Sequence, residues 1–344
     1  MKKKYFYIIL IVFTIGKNAL SQEIANVLAR RIPNGGVEIK YDLTSLNKND
    51  SIFFIELFLF QDDKLLFKIT DAAGDIGFIV KPGIAKKINW NPFNVKTDLL
   101  IENARFKITA IPKNKEGMVL IVGGSKKDTL NSLVYEIKSF YADRKEVCYS
   151  DFKKFVAEIN YETDAEASGN AYAIINGSFE KNENYNWKYN SNLKKINMEL
   201  VENNPIIFIS YNDASKYCEW KKKRLPTDIE WEVMATNCFE YPILNLPTEN
   251  AWFRENSFNS YHEVSSLNSN KLGFYHLFGN VSEWCNIDLS SHLNTQTQNL
   301  NTGGVRGGSF ITSQNDMNIN YRTTSTKNNS YQDVGFRCVS SVIE

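Results

Sequence analysis

The chain has 344 residues, and its 40 basic and 39 acidic side chains leave a formal net charge of +1. This balance, without a basic face interleaved with aromatic residues, excludes nucleic acid as a partner. The hydrophobic share of 43% is that of an ordinary globular protein, and the length suffices for two domains.

The first 21 residues have the pattern of a secretory signal peptide. Residues 2–4 are lysines, residues 5–16 are apolar, and Ala19-Leu20-Ser21 is a small-x-small cleavage site. A transmembrane anchor, the alternative, needs about 20 apolar residues, and this run is shorter. The sequence therefore predicts cleavage after Ser21 and export to the periplasm, the outer envelope or the medium. The first cysteine is Cys148, so no lipoprotein anchor is predicted, and no later segment has the length and apolarity of a membrane span.

Residues 22–112 have the sequence pattern of a β-sandwich domain. Residues 37–43 alternate apolar and polar side chains, which is the period of a half-buried strand, and residues 51–60 form an aromatic and β-branched run. Gly74-Asp75, Lys81-Pro82-Gly83 and Asn91-Pro92 separate further short strands. About seven strands over roughly 90 residues predict a sandwich of immunoglobulin or fibronectin type.

A polar joint at residues 112–117 separates this domain from a second one at residues 117–344, whose pattern mixes helices, short strands and loops. Three helices are predicted there. Ser150 can cap the first helix, which runs to Ile159. Its buried face is expected to carry Phe152, Phe155, Val156 and Ile159. Asn212 can cap the second helix, and Thr227 with Glu230 forms a capping box at the start of the third.

Four short motifs follow one another in the second domain. They are Arg224-Leu225-Pro226-Thr227 with Glu230-Trp231-Glu232, Gly279-Asn280-Val281-Ser282-Glu283-Trp284, Val305-Arg306-Gly307-Gly308-Ser309-Phe310, and Gly335-Phe336-Arg337-Cys338. Their residue types are those of turns, helix caps, close backbone approaches and core contacts. Arg337 is expected to pair with a buried carboxylate, for which Glu230 and Glu283 are the candidates.

Together with residues 119–124 and 139–147, these motifs resemble the formylglycine-generating enzyme (sulfatase-modifying factor) family over residues 117–339. The resemblance implies an irregular α/β domain related to the C-type lectin fold, so the whole chain is predicted to be α+β. It also implies a disulfide between Cys218 and Cys338, with two buried thiols as the alternative. Cys148, Cys238 and Cys285 match nothing in the family's pattern.

The resemblance stops at the catalytic metal. The family's oxidases bind Cu(I) between two cysteine thiolates shortly after the Gly-Gly-Ser motif, because soft ligands suit a soft ion. Thr312 and Met317 stand at those positions, and residues 311–318 contain no cysteine. Copper is therefore not expected, and no catalytic residue is predicted. Iron-dependent relatives need a histidine cluster, whereas this chain has only His262, His276 and His292.

A calcium site is implied by those family members that bind Ca²⁺ around the Gly-Asn-x-x-Glu-Trp segment. Asn280, Val281 and Glu283 would supply the hard oxygen ligands that this ion prefers. The alternative is that Glu283 is only hydrogen-bonded in a turn. A candidate binding groove is predicted nearby, with Arg306, Ser309, Thr312, Met317 and Arg322 as its residues.

The favoured hypothesis is an exported, non-catalytic binding or scaffold protein whose sandwich domain docks protein partners in the cell envelope. Some envelope proteins of secretion and gliding motility resemble this family and also lack the copper cysteines, so such an assembly is the specific form of the hypothesis. One alternative is a protein-modifying oxidase with altered chemistry. Another is carbohydrate binding by exposed tyrosine and tryptophan side chains, for which no sugar-specific motif is visible.

Overall fold

The computed structural model describes residues 22–33, 35–46, 51–92, 104–115, 117–128, 132–175, 177–197, 201–238, 250–287 and 301–342. The predicted signal peptide and His292 lie outside these residues. The chain divides into two compact units, Met1–Glu116 and Gly117–Glu344, which are called the first and the second unit below. No helix among the described residues is both long enough and apolar enough to cross a membrane.

The described part of the first unit is built from antiparallel strands. They are β1 (Gln22–Arg31), β2 (Val37–Ser45), β3 (Phe53–Gln61), β4 (Lys64–Ile69), β5 (Ala73–Gly74), β6 (Gly77–Val80), β7 (Gly83–Trp90), β8 (Ala104–Pro112) and β9 (Asn114–Lys115). One sheet has the order β1-β2-β7-β5. In the other, β3 pairs with β8 along one edge and with β4 and β6 along the other edge.

Both sheets of the first unit contribute to one hydrophobic core. The alternation predicted for residues 37–43 is confirmed in β2, because the odd-numbered residues of that range are at most 2% exposed, namely Val37, Ile39, Tyr41 and Leu43. The facing strand β3 contributes Phe53, Ile55, Leu57 and Leu59 to the same cluster. The rings of Phe67 and Phe106 meet the buried Trp90 ring edge-on. Two stacked sheets thus bury the apolar face that each presents. The finer assignment to an immunoglobulin or fibronectin type stays a prediction.

The described part of the second unit mixes short strands with four helices. Its strands are β10 (Met118–Ile121), β11 (Gly124–Lys127), β12 (Val134–Ile137), β13 (Phe140–Asp143), β14 (Ala171–Ile175), β15 (Ser178–Lys181), β16 (Ser282–Cys285), β17 (Thr302–Arg306), β18 (Arg322–Thr326), β19 (Ser330–Tyr331), β20 (Val334–Gly335) and β21 (Val339–Ser341). Its helices are α1 (Tyr149–Ile159), α2 (Asp164–Ser168), α3 (Tyr211–Trp220) and α4 (Asp228–Cys238).

Strands from distant parts of the second unit pair with one another. The first strands of the unit meet the last ones, since β13 pairs with β10 on one side and with β21 on the other. The parallel pairing of β14 with β19 joins two further distant segments. The fully buried strand β16 lies between β17 and β20 in the sheet that carries the family motifs.

The first predicted helix starts and faces differently from the prediction. α1 begins at Tyr149, and its N-cap is Cys148, which makes no side-chain capping bond, so the assignment of Ser150 as the cap was wrong. Phe152 and Phe155 are fully buried, as predicted, whereas Ile159 is 44% exposed. Ile159 is the last helical residue, where the chain turns away through a left-handed cap, so its side chain leaves the aromatic core.

The second helix, α3, also begins at a residue other than the predicted one. Its N-cap is Ser210, whose hydroxyl accepts from the Asp213 backbone N–H, while the Asp213 carboxylate accepts from the Ser210 N–H. The predicted cap, Asn212, instead donates to the Asp164 carboxylate at 2.9 Å. Two reciprocal hydrogen bonds at Ser210 decide the start of this helix.

The capping box predicted for the third helix, α4, is confirmed. The Glu230 N–H donates to the Thr227 hydroxyl at 3.2 Å, and the Thr227 N–H donates to the Glu230 carboxylate at 2.9 Å. The same carboxylate accepts two hydrogen bonds from the Arg224 guanidinium at 2.6 and 2.7 Å. Glu230 is therefore occupied at this helix start, which leaves Glu283 as the partner of Arg337.

Candidate functional site

A fully buried ion pair lies at the centre of the second unit. The Arg337 Nε donates to both carboxylate oxygens of Glu283, at 2.8 and 2.9 Å, and its Nη2 donates to Oε1 at 2.6 Å. The other guanidinium N–H groups donate to three backbone carbonyls, those of Asp143, Arg144 and Tyr275. Burial works against the guanidinium charge, but the facing Glu283 carboxylate outweighs it and raises the pKa of Arg337. The pair joins β16 to the last family motif and to the segment after β13.

The calcium ligands predicted at residues 280–283 do not fit a metal ion in this arrangement. Both oxygens of Glu283 are already bonded to Arg337, and Oε2 also accepts from the Trp231 indole N–H at 3.0 Å. The Asn280 side-chain oxygen accepts from the backbone N–H of His262 at 2.8 Å. Val281 is buried and packs in an apolar cluster. A cation at this position would have to displace a guanidinium from a buried carboxylate. Glu283 is therefore bonded within the protein, which was the alternative to calcium binding.

A second buried polar cluster surrounds Asn280, and the sequence analysis did not find it. The Asn280 amide donates to the Glu146 carboxylate at 2.9 Å, and the same Glu146 oxygen lies 3.5 Å from Nδ1 of His276. The side chains of Glu146 and His276 are 0% exposed. His276 also lines a small pocket, whose other lining residues include Asn250, Asn270 and Phe274. Glu146 and His276 lie far apart in sequence and in no shared motif, so only the fold brings them together.

Two of the predicted groove residues, Arg306 and Arg322, lie side by side in an ionic network. They are register partners on β17 and β18. Nε of Arg306 lies 3.1 Å from the Asp228 carboxylate, and Nη1 of Arg322 lies 2.9 Å from the same group. Glu232 and Asp128 complete the network. The Arg306 guanidinium, which is fully buried, also stacks over the Trp231 ring at 4.8 Å, and burial is the main cause that lowers its pKa.

The Gly-Gly-Ser motif forms a tight buried turn around Ser309. Gly307 and Gly308 have φ values of +90° and +70°, and a Cβ on Gly307 would come within 2.7 Å of a backbone carbonyl oxygen. The Thr312 hydroxyl accepts from the Ser309 N–H at 2.9 Å, and the Ser309 hydroxyl donates to the Asp333 carboxylate at 2.7 Å. Burial raises the pKa of Asp333 to about 6, although the bond from Ser309 opposes this shift.

The five predicted groove residues do not line one open groove in the described structure. Arg306 and Ser309 are fully buried, Met317 is 3% exposed and Thr312 is 7% exposed. Met317 packs in a core cluster that also contains Phe253, Phe278 and Trp231. The prediction was wrong in this respect, because the polar side chains following the motif bond to the protein instead of facing solvent.

The residues at the expected copper position do not suit Cu(I). Thr312 offers a hard hydroxyl that already bonds to Ser309, and Met317 offers one thioether inside the apolar core. Neither supplies the thiolate that Cu(I) prefers. Among the residues that the structure describes, no group of three or more His, Cys, Asp or Glu side chains could hold a metal ion.

Of the four described cysteines, two lie next to each other and two lie apart from them. The sulfur atoms of Cys218 and Cys338 lie 2.7 Å apart in a buried cluster, both as free thiols. Cys285 is buried in another cluster, and burial raises its pKa well above its usual value. Cys148 stands at the N-cap position of α1 without a side-chain capping bond and is only partly buried. The side chain of Cys238 lies outside the described residues.

Comparison with known proteins agrees with the motifs. Residues 106–342 match the family described as the sulfatase-modifying factor enzyme 1-like domain. The chain belongs to this family. Its sulfatase-modifying factor domain extends over the whole described part of the second unit and includes Arg337, Glu283 and the Gly-Gly-Ser turn.

Relatives of this domain include proteins named as enzymes and proteins named as inactive. The chain is 30% identical over 241 residues to the inactive Cα-formylglycine-generating enzyme 2 of Mus musculus, covering 60% of this chain and 76% of that protein. It is 25% identical over 251 residues to the formylglycine-generating enzyme of Mus musculus, covering 59% and 66%. Among solved structures, PvdO from Pseudomonas aeruginosa matches with a TM-score of 0.48 and 16% identity, covering 65% of this chain and 94% of that one.

Proposed function

We propose that this chain is a non-catalytic binding or scaffold protein built on a sulfatase-modifying factor domain. The observation that carries the proposal is the donor chemistry at Thr312 and Met317, where the family's oxidases place two copper-binding cysteines. The Thr312 hydroxyl accepts the Ser309 backbone N–H in the turn, and the Met317 side chain packs in the apolar core. Without a thiolate pair, the chain lacks the ligands for the oxidase reaction.

The use of the family motifs in this chain supports the same proposal. Arg337 pairs with Glu283, Arg224 pairs with Glu230, and Thr227 caps α4. These charged and hydroxyl side chains of the motifs therefore stabilise the fold. The similarity to a relative named inactive is in keeping with such a role. A scaffold can retain all of these contacts while its former catalytic position changes.

Copper binding and turnover test the proposal directly. Purified chain is incubated with Cu(I) and a cysteine-containing sulfatase-type peptide under oxygen, and mass spectrometry follows conversion of the cysteine to the aldehyde. We expect neither stoichiometric copper nor aldehyde. Turnover by the unaltered chain would refute the non-catalytic proposal and favour the alternative, a family oxidase with altered chemistry.

A double variant supplies the matched control for this experiment. Thr312→Cys with Met317→Cys restores a thiol at both positions, and we expect it to bind about one equivalent of Cu(I) tightly, as two thiolates do. Thr312→Ser with Met317→Ser places side chains of nearly the size of cysteine at both positions without thiols and should bind none. The double cysteine variant must be shown to be folded by circular dichroism. If it is folded and still binds no copper, the residues at these two positions do not account for the expected absence of copper binding in the parent chain.

We further propose that the chain is exported and acts in the cell envelope, where its first unit docks protein partners, with a secretion or motility assembly as the specific form. The signal-like pattern of residues 1–21 supports export. In cells, we expect a mature chain that starts at Gln22 and is found outside the cytoplasm, as read by N-terminal sequencing of fractionated cells. An intact N-terminus in the cytoplasmic fraction would refute export.

We also propose that Cys218 and Cys338 form a disulfide in the exported protein. The 2.7 Å between their sulfur atoms supports this pairing, since little movement would bring them to bonding distance. The two thiols would give up two protons and two electrons to a disulfide oxidant of the export compartment. Mass mapping of protein alkylated without reduction should yield this pair of peptides linked, and recovery of both as alkylated thiols would contradict the bond.

A further inference from the structure

The neighbouring thiols of Cys218 and Cys338 have no contact with solvent. Both residues are 0% exposed, and their sulfur atoms lie 2.7 Å apart. They belong to a hydrophobic cluster that also contains Tyr217, Trp284 and Phe336. Thiol–disulfide exchange requires the attacking thiolate to meet a sulfur atom of the oxidant directly. In the folded second unit, an oxidant molecule therefore cannot reach either thiol.

Backbone hydrogen bonds connect each of these cysteines to one member of a single ion pair. The Lys223 N–H donates to the Cys218 carbonyl at 2.8 Å. On the other side, the Asp143 N–H donates to the Cys338 carbonyl at 2.9 Å. The Lys223 ammonium donates to the Asp143 carboxylate at 2.7 Å, and the two side chains are only 17% and 20% exposed. The contacts that hold the two cysteine segments side by side thus belong to the same closed structure that buries the sulfur atoms.

The surroundings also disfavour the reactive form of the thiol. Burial is the main cause that raises the pKa of Cys338 well above its usual value, and the neighbouring Cys218 and the Asp143 carboxylate add to the rise. The Lys223 ammonium opposes this rise without cancelling it. Because the thiolate is the form that attacks a disulfide, the folded pair is protected from exchange by its protonation as well as by its burial.

Cys148 provides a comparison within the same unit. It precedes the first residue of α1 and is only partly buried. Its sulfur lies 3.2 Å from the hydroxyl oxygen of Ser150, which is itself partly exposed. An oxidant can approach a cysteine in such a position without opening the fold. Cys148 should therefore react in the folded chain, whereas Cys218 and Cys338 should not.

We propose that the redox state of Cys218 and Cys338 is fixed when the second unit folds, and that the folded unit then keeps it. In the open chain, one of the two thiolates attacks a disulfide oxidant, forms a mixed disulfide and releases one thiol of the oxidant. As the chain closes, the other cysteine thiolate attacks the mixed disulfide and releases the second thiol of the oxidant. The pair loses two electrons and two protons, and the oxidant is reduced to two thiols.

The proposal makes the state of the pair depend on the compartment in which the chain folds. A chain that folds in a reducing compartment stays a dithiol, whereas a chain that folds after export becomes a disulfide. The inference rests on the disulfide proposed above and adds the stage at which it forms.

Refolding under two conditions tests this proposal with the chain from residue 22 onwards. One sample is refolded from urea with dithiothreitol and the other with a mixture of oxidised and reduced glutathione, and each folded product is then moved to the opposite condition. The thiols are alkylated at intervals, and peptide masses give the state of each cysteine. We expect the folded dithiol to stay reduced in oxidised glutathione while Cys148 becomes glutathionylated. In both directions, exchange at the pair should be about a hundredfold or more slower in the folded chain than in urea, because it must wait for local opening.

Two variants that each neutralise one carboxylate test the part played by the ion pair. Asp143→Asn should speed exchange at the pair in the folded chain about threefold or more, because it weakens a partly buried ion pair and removes a negative charge near Cys338. Glu219→Gln is the matched control, since Glu219 pairs with Lys216 at 2.9 Å on the exposed face of the helix that carries Cys218. Its exchange rate should equal that of the parent chain. Circular dichroism must show both variants folded, and equal rates in the two would refute the part assigned to Asp143.

Two different results from the parent chain would overturn the proposal. Oxidation of the folded dithiol at a rate close to that of Cys148, or close to its own rate in urea, would show that the folded pair is open to exchange, while the disulfide itself would stand. Absence of a linkage between Cys218 and Cys338 after oxidative refolding would refute the disulfide proposed above, and with it the stage of its formation.

Discussion

Replacing Arg337 with methionine should strongly destabilise the second unit. The guanidinium is 0% exposed and faces a Glu283 side chain that is 1% exposed, so removing it leaves a buried carboxylate without its counter-charge. Breaking one side of a buried ion pair costs about 3–5 kcal/mol in the free energy of unfolding. The loss also removes one donor from each of three backbone carbonyls, although that of Arg144 still accepts from the Tyr275 N–H, and this adds to the expected cost.

A double-mutant cycle measures the pair itself. Urea unfolding followed by tryptophan fluorescence is compared for the parent chain, Arg337→Met, Glu283→Met and the double variant. Each single variant should cost several kcal/mol, while the double variant should cost clearly less than their sum, because two apolar side chains leave no unpaired charge. Additive losses would refute the reasoning, since they would mean that the two side chains do not stabilise one another.

The pH dependence of Arg337→Met gives a further check on the same cause. In this variant the buried Glu283 carboxylate has no cation, so its pKa in the folded chain must lie above that in the unfolded chain. A group with a raised folded pKa favours the folded state at low pH, and this contribution is lost as pH rises through the folded value. The variant should therefore regain part of its stability on acidification, and a cost that is independent of pH would contradict the account.

Three further predictions concern single positions in the second unit. Because burial raises the pKa of Asp333 to about 6 from 3.8, stability should fall by up to about 3 kcal/mol as pH rises from 4 to 7. Asp333→Asn should remove that share of the slope in urea titrations at several pH values, and an unchanged slope would contradict the shift. Gly279→Ala should cost about 3 kcal/mol or more in the same assay, because its Cβ would lie 2.1 Å from the Trp252 carbonyl oxygen at a φ of +75°. Gly177→Ala, at a φ of +85° but in open space, should cost only about 1 kcal/mol, and equal losses would rule out the clash. Thr227→Ala should cost about 1 kcal/mol through the lost helix cap, whereas no change in the urea midpoint would show that the cap is dispensable.

Local patterns were the most predictable part of this fold. The alternation in β2 and the capping box at Thr227 depend on neighbours in sequence, so the sequence alone could assign both. Where two capping residues compete within a few positions, as Ser210 and Asn212 do, the winner depends on which one gains a reciprocal bond from Asp213. Ile159 fits the helical period but falls at the helix end, where the period no longer determines burial.

The site was less predictable because its polar groups are partners across long stretches of chain. The sequence offered Glu230 and Glu283 as partners for Arg337. Only the structure shows that Glu230 is bonded to Arg224, which leaves Glu283 for Arg337. Residues near one another in sequence have different environments, since Ser309 bonds to Asp333 while Met317 packs in the apolar core. The cluster of Glu146, His276 and Asn280 was not predicted, since Glu146 comes from a segment that only tertiary packing brings to the other two.

The pairing of β13 with β21 has a consequence for how the chain is made. Synthesis proceeds from the N-terminus, so the two sheets built from β1 to β8, which pair only with one another in the described structure, can fold while the ribosome is still at work. The second unit cannot finish until Arg337 and its last strand have emerged, because both connect back to its beginning. Pairings of such long sequence separation form slowly. The second unit therefore completes its fold only after its last strand has been made, however early its first strands appear.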